Sequence, residues 1–328
     1  MTQIIRARTV ALWRASIRLL RTDKERVSSA ERWIRALLLI VPYYAMALLL
    51  NIRAARWRPL TVDGISDDGI RLRCQLPEVL QMYVYLFGAW EPDLEAFMRR
   101  RLRPGDTFID VGANIGYLSA LASQLVGPHG AVVAIEPAPF AGAALQETAA
   151  LNGLTNIRLV AAAVSDRDGE LPLFVGSAYD SGLTTTVARL GRHFRFREQE
   201  RVRAAMLGSL VTREELASAR LIKIDVEGAE DRVLAGLLVS LDILAPEAEL
   251  VVEVMPRWWS DPQLRPIDVL QPFLERGFHV YQLPCNYWPW RYLWPRSVGA
   301  PQRLRDLAAL DRRGRLDLVL SRFDADTL

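Results

Sequence analysis

The eleven residues Thr-Phe-Ile-Asp-Val-Gly-Ala-Asn-Ile-Gly-Tyr, Thr107 to Tyr117, leave this chain few folds to choose from. Five β-formers meet a turn that carries Gly112 and Gly116, and an apolar helical pattern follows at Leu118, Leu121, Ala122 and Leu125. Strand, small-residue turn and helix in that order open the first unit of a nucleotide-binding α/β sheet. The glycines let the backbone approach a ligand closely, and the helix N-terminus offers unpaired N–H groups.

The composition of the turn selects among ligands. A dinucleotide fingerprint has three glycines in G-x-G-x-x-G, whereas the order here is Gly112-Ala-Asn114-Ile-Gly116-Tyr117. Asp110 at the strand end would repel a pyrophosphate but suits a ligand with an ammonium and a cationic sulfur. S-adenosyl-L-methionine is therefore the expected cofactor. NAD and an oxidoreductase activity are the rival, and a membrane-associated scaffold without catalysis is the non-enzymatic alternative. Ala131 to Ile135 forms a second apolar strand ending at Glu136-Pro137, 24 residues past Gly112. That is close to the spacing at which a carboxylate accepts the hydroxyls of an adenosine ribose. A third strand, Ile157 to Val164, ends at Ser165-Asp166, where Asp166 is the candidate for the adenine amino group.

The segment Leu221-Ile-Lys-Ile-Asp-Val-Glu-Gly-Ala-Glu230 is the second strong signal. Alternation puts Leu221, Lys223 and Asp225 on one face of a strand and Ile222 and Ile224 on the other. Charges in a buried parallel strand are expensive unless paired or functional. Asp225 stands where open α/β sheets hold ligands, so it is the first candidate base, Glu227 the second, and Lys223 the group that organises them. Glu230 suits helix capping as well as chemistry. Glu253, inside the strand Leu250 to Val254, could pair with Lys223 or line the pocket. Glu91, in Gly88-Ala-Trp90-Glu91-Pro92, is a candidate for the cofactor's methionine end or a helix N-terminal carboxylate.

Charge is unevenly spread over the 328 residues, whose formal net charge is +3. Up to Arg58 there are twelve basic and three acidic side chains, a net of +9 that leaves −6 for the remainder. A basic arm on an acidic body argues against a body-wide nucleic-acid surface, and no nucleic-acid partner is expected. The two cysteines, Cys74 and Cys285, make neither a disulfide framework nor a metal cluster. A cytoplasmic compartment is expected and no metal is predicted. Residues 1–35 read as a basic helix, followed by an uncharged run from Ala36 to Leu50 that is interrupted by Pro42. The run is shorter than the roughly 20 residues a spanning helix needs. Residues 1–59 are accordingly expected to be a helical appendage, with peripheral contact at the cytoplasmic face of a membrane as one use for it. A helix hairpin packed on the body or on a second subunit is the alternative.

Residues 60–328 are expected to form the main domain. Leu60 to Leu76 reads as paired strands with turns at Asp63-Gly64 and Asp68-Gly69. Ser177 to Thr186 and the basic stretch Arg189 to Arg203 around His193 read as a loop or lid over a substrate, His193 being either a base or simply solvated. Phe278 to Leu283 and Leu316 to Leu320 are the last strands. The region 284–296 is rich in aromatics (Tyr287, Trp288, Trp290, Tyr292, Trp294) that could stack on sugars, line an apolar pocket, meet a membrane, or pack a loop.

On Gly88-Ala-Trp90-Glu91-Pro92, Phe108 to Gly116, Glu136-Pro137, Ala163-Val-Ser-Asp166 and Lys223 to Glu230, the chain resembles the FkbM family of S-adenosylmethionine-dependent methyltransferases over about residues 60–255. The resemblance implies a class I methyltransferase, Rossmann-like sheet of seven mostly parallel strands with helices on both faces. It also implies O-methylation of a hydroxyl on a sugar, a lipid-linked glycan or a natural product.

Overall fold

The computed structural model describes residues 7–56, 59–176, 184–261, 263–307, 310 and 314–328. The chain forms two compact units. One holds the chain up to Ala96 together with Cys285–Gly299, so the aromatic region returns to the N-terminal helices. The other begins at Phe97 and holds the large sheet. This division falls elsewhere than the expected boundary between residues 59 and 60.

In the first unit, α1 (Ala7–Leu19) and α2 (Ser29–Arg56) precede the antiparallel pair β1 (Leu60–Ile65) and β2 (Arg71–Leu76), and α3 (Val79–Phe87) follows. The basic helix expected over residues 1–35 is broken between α1 and α2. Arg21 is drawn into a bidentate pair with Asp67 at 3.0 and 2.5 Å, and the Thr22 N–H donates to the Leu293 carbonyl at 2.8 Å. Pro42 does not interrupt α2, which runs through it. The loss of one backbone hydrogen bond is tolerated because buried side chains hold the helix before and after it, Leu39 on one flank of Pro42 and Tyr43 and Met46 on the other. Asp63-Gly64 is not a turn. It lies within β1, where Asp63 faces Arg73, and a Cβ on Gly64 would come within 2.6 Å of Cys74 Sγ. Only Asp68-Gly69 turns the chain, with Gly69 at φ 77°.

α4 (Pro92–Arg101) carries the chain into the second unit, where β3 (Thr107–Val111), α5 (Tyr117–Val126), β4 (Ala131–Ile135), α6 (Pro139–Leu151) and β5 (Ile157–Val160) follow. β6 (Ala163–Val164), β7 (Gly169–Val175), β8 (Thr184–Thr185), α7 (Ala188–His193) and β9 (Arg197–Ala205) come next. The chain continues through α8 (Leu207–Leu210), α9 (Arg213–Ala217), β10 (Ala219–Ile224), α10 (Glu230–Leu237), β11 (Glu249–Val254), α11 (Pro266–Leu274) and β12 (His279–Gln282). It ends with β13 (Gln302–Arg303) and β14 (Leu316–Ser321).

The main sheet has the order β13-β12-β14-β11-β10-β3-β4-β5. From β11 to β5 all neighbours are parallel, while β14 runs antiparallel to both β11 and β12, and β13 antiparallel to β12. The expected seven strands are thus present, but the sheet is mixed and has eight, the extra one being the two-residue edge β13. Its faces alternate as pleating requires. Ile109, Val111, Ile222 and Ile224 join a core with Val233, Leu234 and Leu237 of α10 and Phe273 of α11. Asp110 points to the opposite face, where Ser119 of α5 meets it.

A second sheet, β6-β9-β7-β8, corrects two expectations. The strand Ile157–Val164 ends at Val160, and Ala163–Val164 turns away to pair with β9. The basic stretch Arg189–Arg203 is not a loop. It supplies α7 and then β9, which lies antiparallel along β7 with Arg203 opposite Glu170. Most β9 side chains face solvent, so its composition resembles a loop while the ladder sets its shape. Of the Ser177–Thr186 stretch, residues 177–183 lie outside the described residues.

Candidate active site

The site is assembled where β3, β4 and β10 end. Parallel pairing sets Lys223 beside Asp110 and Asp110 beside Ala134, so these three strands finish in register. Lys223 is buried, and its Nζ lies 3.4 Å from Asp110 Oδ1, 3.2 Å from Asp225 Oδ2 and 3.3 Å from the Gly112 carbonyl oxygen. One ammonium therefore ties the ends of two adjacent strands. Asp110 also accepts from Ser119 Oγ at 2.6 Å. Burial pushes the Asp110 carboxyl above the usual range, with Lys223 and the Ser119 hydroxyl opposing that rise.

The turn after β3 has the backbone that its small residues foreshadow. Gly112 has φ 81°, and a Cβ there would lie 1.8 Å from the Asp225 carbonyl oxygen. No side chain fits without moving the β10 end. Asn114 is left-handed at φ 50°, a conformation asparagine tolerates better than most residues. Its N–H donates to Glu136 Oε2 at 2.8 Å, and the Ala138 N–H donates to Glu136 Oε1 at 2.8 Å. The carboxylate is thus aimed by two backbone donors. Burial, partly offset by those donors, raises its pKa to about 7. Gly116, at φ 79°, starts α5, and a Cβ on it would press on Leu145.

Beyond Asp225 the chain stays tight. Glu227 is left-handed at φ 51°, and its Oε2 is buried without a hydrogen-bond partner among the described residues. Desolvation first, and then the charges of Asp225 and Glu230, hold the Glu227 carboxyl well above the ordinary range. Glu230 is fully buried and committed to structure. Its Oε1 accepts from the Gly228 N–H at 2.7 Å and its Oε2 from Trp259 Nε1 at 2.8 Å. Glu253 pairs with Arg315 and not with Lys223, because it lies two residues further along β11 than Val251, the partner of Lys223. Asp166 is half-buried, accepting from Ser165 Oγ at 3.1 Å and pairing with Arg167 at 3.4 Å.

Two contributors escape the sequence reading. Ser119 follows Gly116 by three residues, one helical turn into α5, which is the only signal it offers. Thr185 donates from Oγ1 to the Glu227 carbonyl at 2.8 Å and so braces the loop after β10. His193 ends α7, is exposed, and packs edge-on against Phe194.

Glu91 belongs to the first unit. Its backbone is left-handed at φ 50°, the Tyr287 hydroxyl donates to its carboxylate, and its own N–H points to the Tyr292 hydroxyl at 3.4 Å. Gly88 ends α3 at φ 80°, and Glu95 of α4 accepts from the Trp90 N–H at 3.0 Å. Tyr292 lies fully buried among Tyr83, Phe87 and Trp90. Part of the aromatic density at 284–296 is therefore the core of this unit.

In the second unit Lys223 pairs with Asp110 and Asp225, while Glu136 and Glu227 are buried nearby, Glu227 within the fields of Arg315 and Lys223. An excess of acidic groups, with Asp110 Oδ1 and Glu227 Oε2 buried without a hydrogen-bond partner among the described residues, suits a ligand that brings an ammonium and a sulfonium. A pyrophosphate would meet repulsion from the same groups.

Comparison with known proteins agrees. The family profile described as Methyltransferase FkbM domain matches residues 110–280. Over 160 residues the chain is 32% identical to the 31-O-demethyl-FK506 methyltransferase FkbM of Streptomyces tacrolimicus, covering 42% of this chain and 61% of that protein, so it spans less than two thirds of the relative's length. Among solved structures, methyltransferase FkbM from Methylobacillus flagellatus KT aligns with a TM-score of 0.39 at 12% identity, over 74% of this chain and 52% of that one. M. jannaschii TYW2, solved with AdoMet, aligns with a TM-score of 0.39 at 12% identity, over 80% and 85%. The chain belongs to the FkbM methyltransferase family, and its cofactor is S-adenosylmethionine.

Proposed function

We propose that this protein transfers a methyl group to a hydroxyl oxygen of a sugar, a glycan, a lipid-linked molecule or a natural product. The observation that carries this reading is Lys223 Nζ held between Asp110 and Asp225 at the carboxyl edge of the sheet. The relative from Streptomyces tacrolimicus is named for acting on an O-demethyl compound, which supports oxygen as the acceptor atom.

S-adenosylmethionine, when bound, supplies a methyl group already activated by a positive sulfur. Binding and alignment fall to the chain. Glu136, aimed by the Asn114 and Ala138 N–H groups, accepts the ribose hydroxyls. Asp110, with the Gly112–Gly116 turn beside it, holds the ammonium end, and Asp166 serves the adenine amino group. An alcohol is a poor nucleophile at neutral pH, so a positioned carboxylate that takes its proton contributes about 10²–10⁴-fold. Asp225 performs that task, since its Oδ2 is fixed by Lys223 at 3.2 Å and its side chain keeps 26% exposure towards an incoming substrate. Glu227 is the second carboxylate within that electrostatic field.

The test separates binding from chemistry. Asp225→Asn should bind S-adenosylhomocysteine within a few-fold of the parent by calorimetry, while methyl transfer falls by about 10²–10⁴-fold. Turnover retained at the parental level would remove Asp225 from the mechanism. Titration with S-adenosylhomocysteine and NAD in parallel should give heat with the first alone.

A further inference from the structure

Within the first unit, α2 is apolar on two opposite sides. Its inner stripe, Ala36, Leu39, Tyr43, Met46 and Leu50, is buried. At about 100° per residue, the side chains outside that stripe sweep roughly half the helix circumference. That outer face is apolar from Trp33 to Leu49, with Asn51 at its end, and includes Leu37, Val41, Tyr44 and Leu48, with Val41 at 74%, Trp33 at 71% and Leu37 at 63% exposure. No charged side chain occurs between Arg35 and Arg53. A helix apolar all round belongs in a protein core or against a bilayer, whereas a soluble dimer seam needs only a narrow stripe.

Three observations indicate what covers this face. Arginines bracket it, Arg32 and Arg35 before and Arg53 after, while the one acidic residue of α2, Glu31, is engaged by Lys24 and Arg35. The segment up to Arg58 has a net charge of +9, complementary to anionic headgroups. A groove of about 380 Å³ also shares Trp33, Leu37 and Ile40 with the exposed face, and Trp290 and Trp294 line its other side. Aromatic and basic side chains at one edge of an apolar face match the headgroup boundary of a membrane.

By length and composition alone α2 could cross a bilayer. Its packing opposes that. Tyr43, near its middle, stacks on Phe87 of α3 at 6.2 Å, and α3 is capped by Glu78 and followed by Gly88 beside Asp67. Asp67 pairs with Arg21, just past α1. A transverse α2 would draw these charged groups into hydrocarbon, at a cost of several kcal/mol each. We propose that α2 lies in the plane of an anionic bilayer, its outer face sunk to the acyl boundary, making the N-terminal unit a monotopic membrane anchor. The inference does not depend on the identity of the methyl acceptor.

The test is flotation of the full-length protein with vesicles of phosphatidylcholine alone or mixed with phosphatidylglycerol. The parent should float with the anionic vesicles, at least tenfold more than with neutral ones, and high salt should weaken this binding. The double variant L37E/V41E, altered at exposed positions only, should lose flotation by at least tenfold while keeping the parental melting temperature and S-adenosylhomocysteine affinity. Spin labels on cysteines replacing Leu37 and Leu48, in a Cys285→Ser background, should report equal depth in the bilayer. Three results overturn the proposal: no flotation with either vesicle, flotation unchanged in the double variant, or labels at depths that place α2 across the membrane. A soluble dimer that fails to float and is split by L37E/V41E would assign the face to a second copy instead.

Discussion

Two charged clusters stand at opposite edges of one sheet, and they are built in opposite ways. At the start of β11, the fully buried Glu249 is held by Arg101 Nε at 2.8 Å and by Arg220 Nη1 at 3.0 Å. At the ends of β3 and β10, Asp110 and Asp225 share the ammonium of Lys223, and the carboxyls of Glu136 and Glu227 are buried close by. The first cluster balances its charge within the protein, two guanidiniums around one carboxylate, although Glu249 Oε1 accepts no hydrogen bond among the described residues. In the second, acidic groups outnumber the cation they meet, and Glu227 Oε2 is likewise buried without a hydrogen-bond partner among the described residues. Burying acidic groups in excess of their cations costs stability, so that surplus, and not the unpartnered oxygen both clusters have, marks the site that awaits a cationic ligand. Position agrees, because open α/β sheets bind ligands beyond the carboxyl ends of their strands.

This contrast can be broken by experiment. The largest effect should come from Asp225→Asn, about 10²–10⁴-fold in turnover with little change in melting temperature. Loss of fold instead of turnover would make the carboxyl-edge cluster structural like its counterpart. Glu249→Gln should do the reverse. Removing one partner of a buried pair costs roughly 3–5 kcal/mol, read by urea unfolding, while S-adenosylhomocysteine affinity stays at the parental value. A milder loss together with weakened binding would erase the distinction.

The pH dependence sharpens the comparison. Glu136 and Glu230 have folded pKa values raised to about 7, above the ordinary 4.5 of an exposed glutamate. Between these values the folded protein keeps protons that the unfolded chain has released, so stability must fall as pH rises. The loss is absent below about 4.5, complete above about 7, and on the order of 1–3 kcal/mol for each group. Unfolding of the ligand-free protein from pH 4.5 to 8 should show it, and Glu136→Gln should remove part of the slope. A flat profile would mean that the carboxyl-edge burial carries no such penalty. The smallest effect, about 1 kcal/mol, is expected for Thr185→Val, which leaves the Glu227 carbonyl without its hydroxyl donor. A shifted pH–rate profile with unchanged stability would instead make Thr185 part of the positioning of Glu227.

Much of the site could be read along the chain because its geometry is local. Asp110 and the glycine turn sit on one strand–turn–helix unit, and Lys223 and Asp225 are two residues apart on one strand, where alternation alone gives them a common face. Glu136 was marked by a wholly apolar strand ending in a single charge. Glu253 could not be assigned from sequence. Whether it met Lys223 or Arg315 depended on the register of β11 against β10 and on the strand β14 that brings Arg315 near. Glu230, balanced between capping and chemistry in the sequence, is decided by Trp259, 29 residues away.

Periodicity and spacing by themselves thus determined the parallel core, the small-residue turn and the acidic character of the pocket, since each depends on neighbours within a few residues. Only the tertiary structure decided which carboxylates are spent on arginines or tryptophan, that β9 is a strand, and that Cys285–Gly299 joins the N-terminal helices. Those outcomes rest on pairing between distant segments, and a polar, solvated ladder or a returning aromatic loop leaves no local period in the chain to announce it.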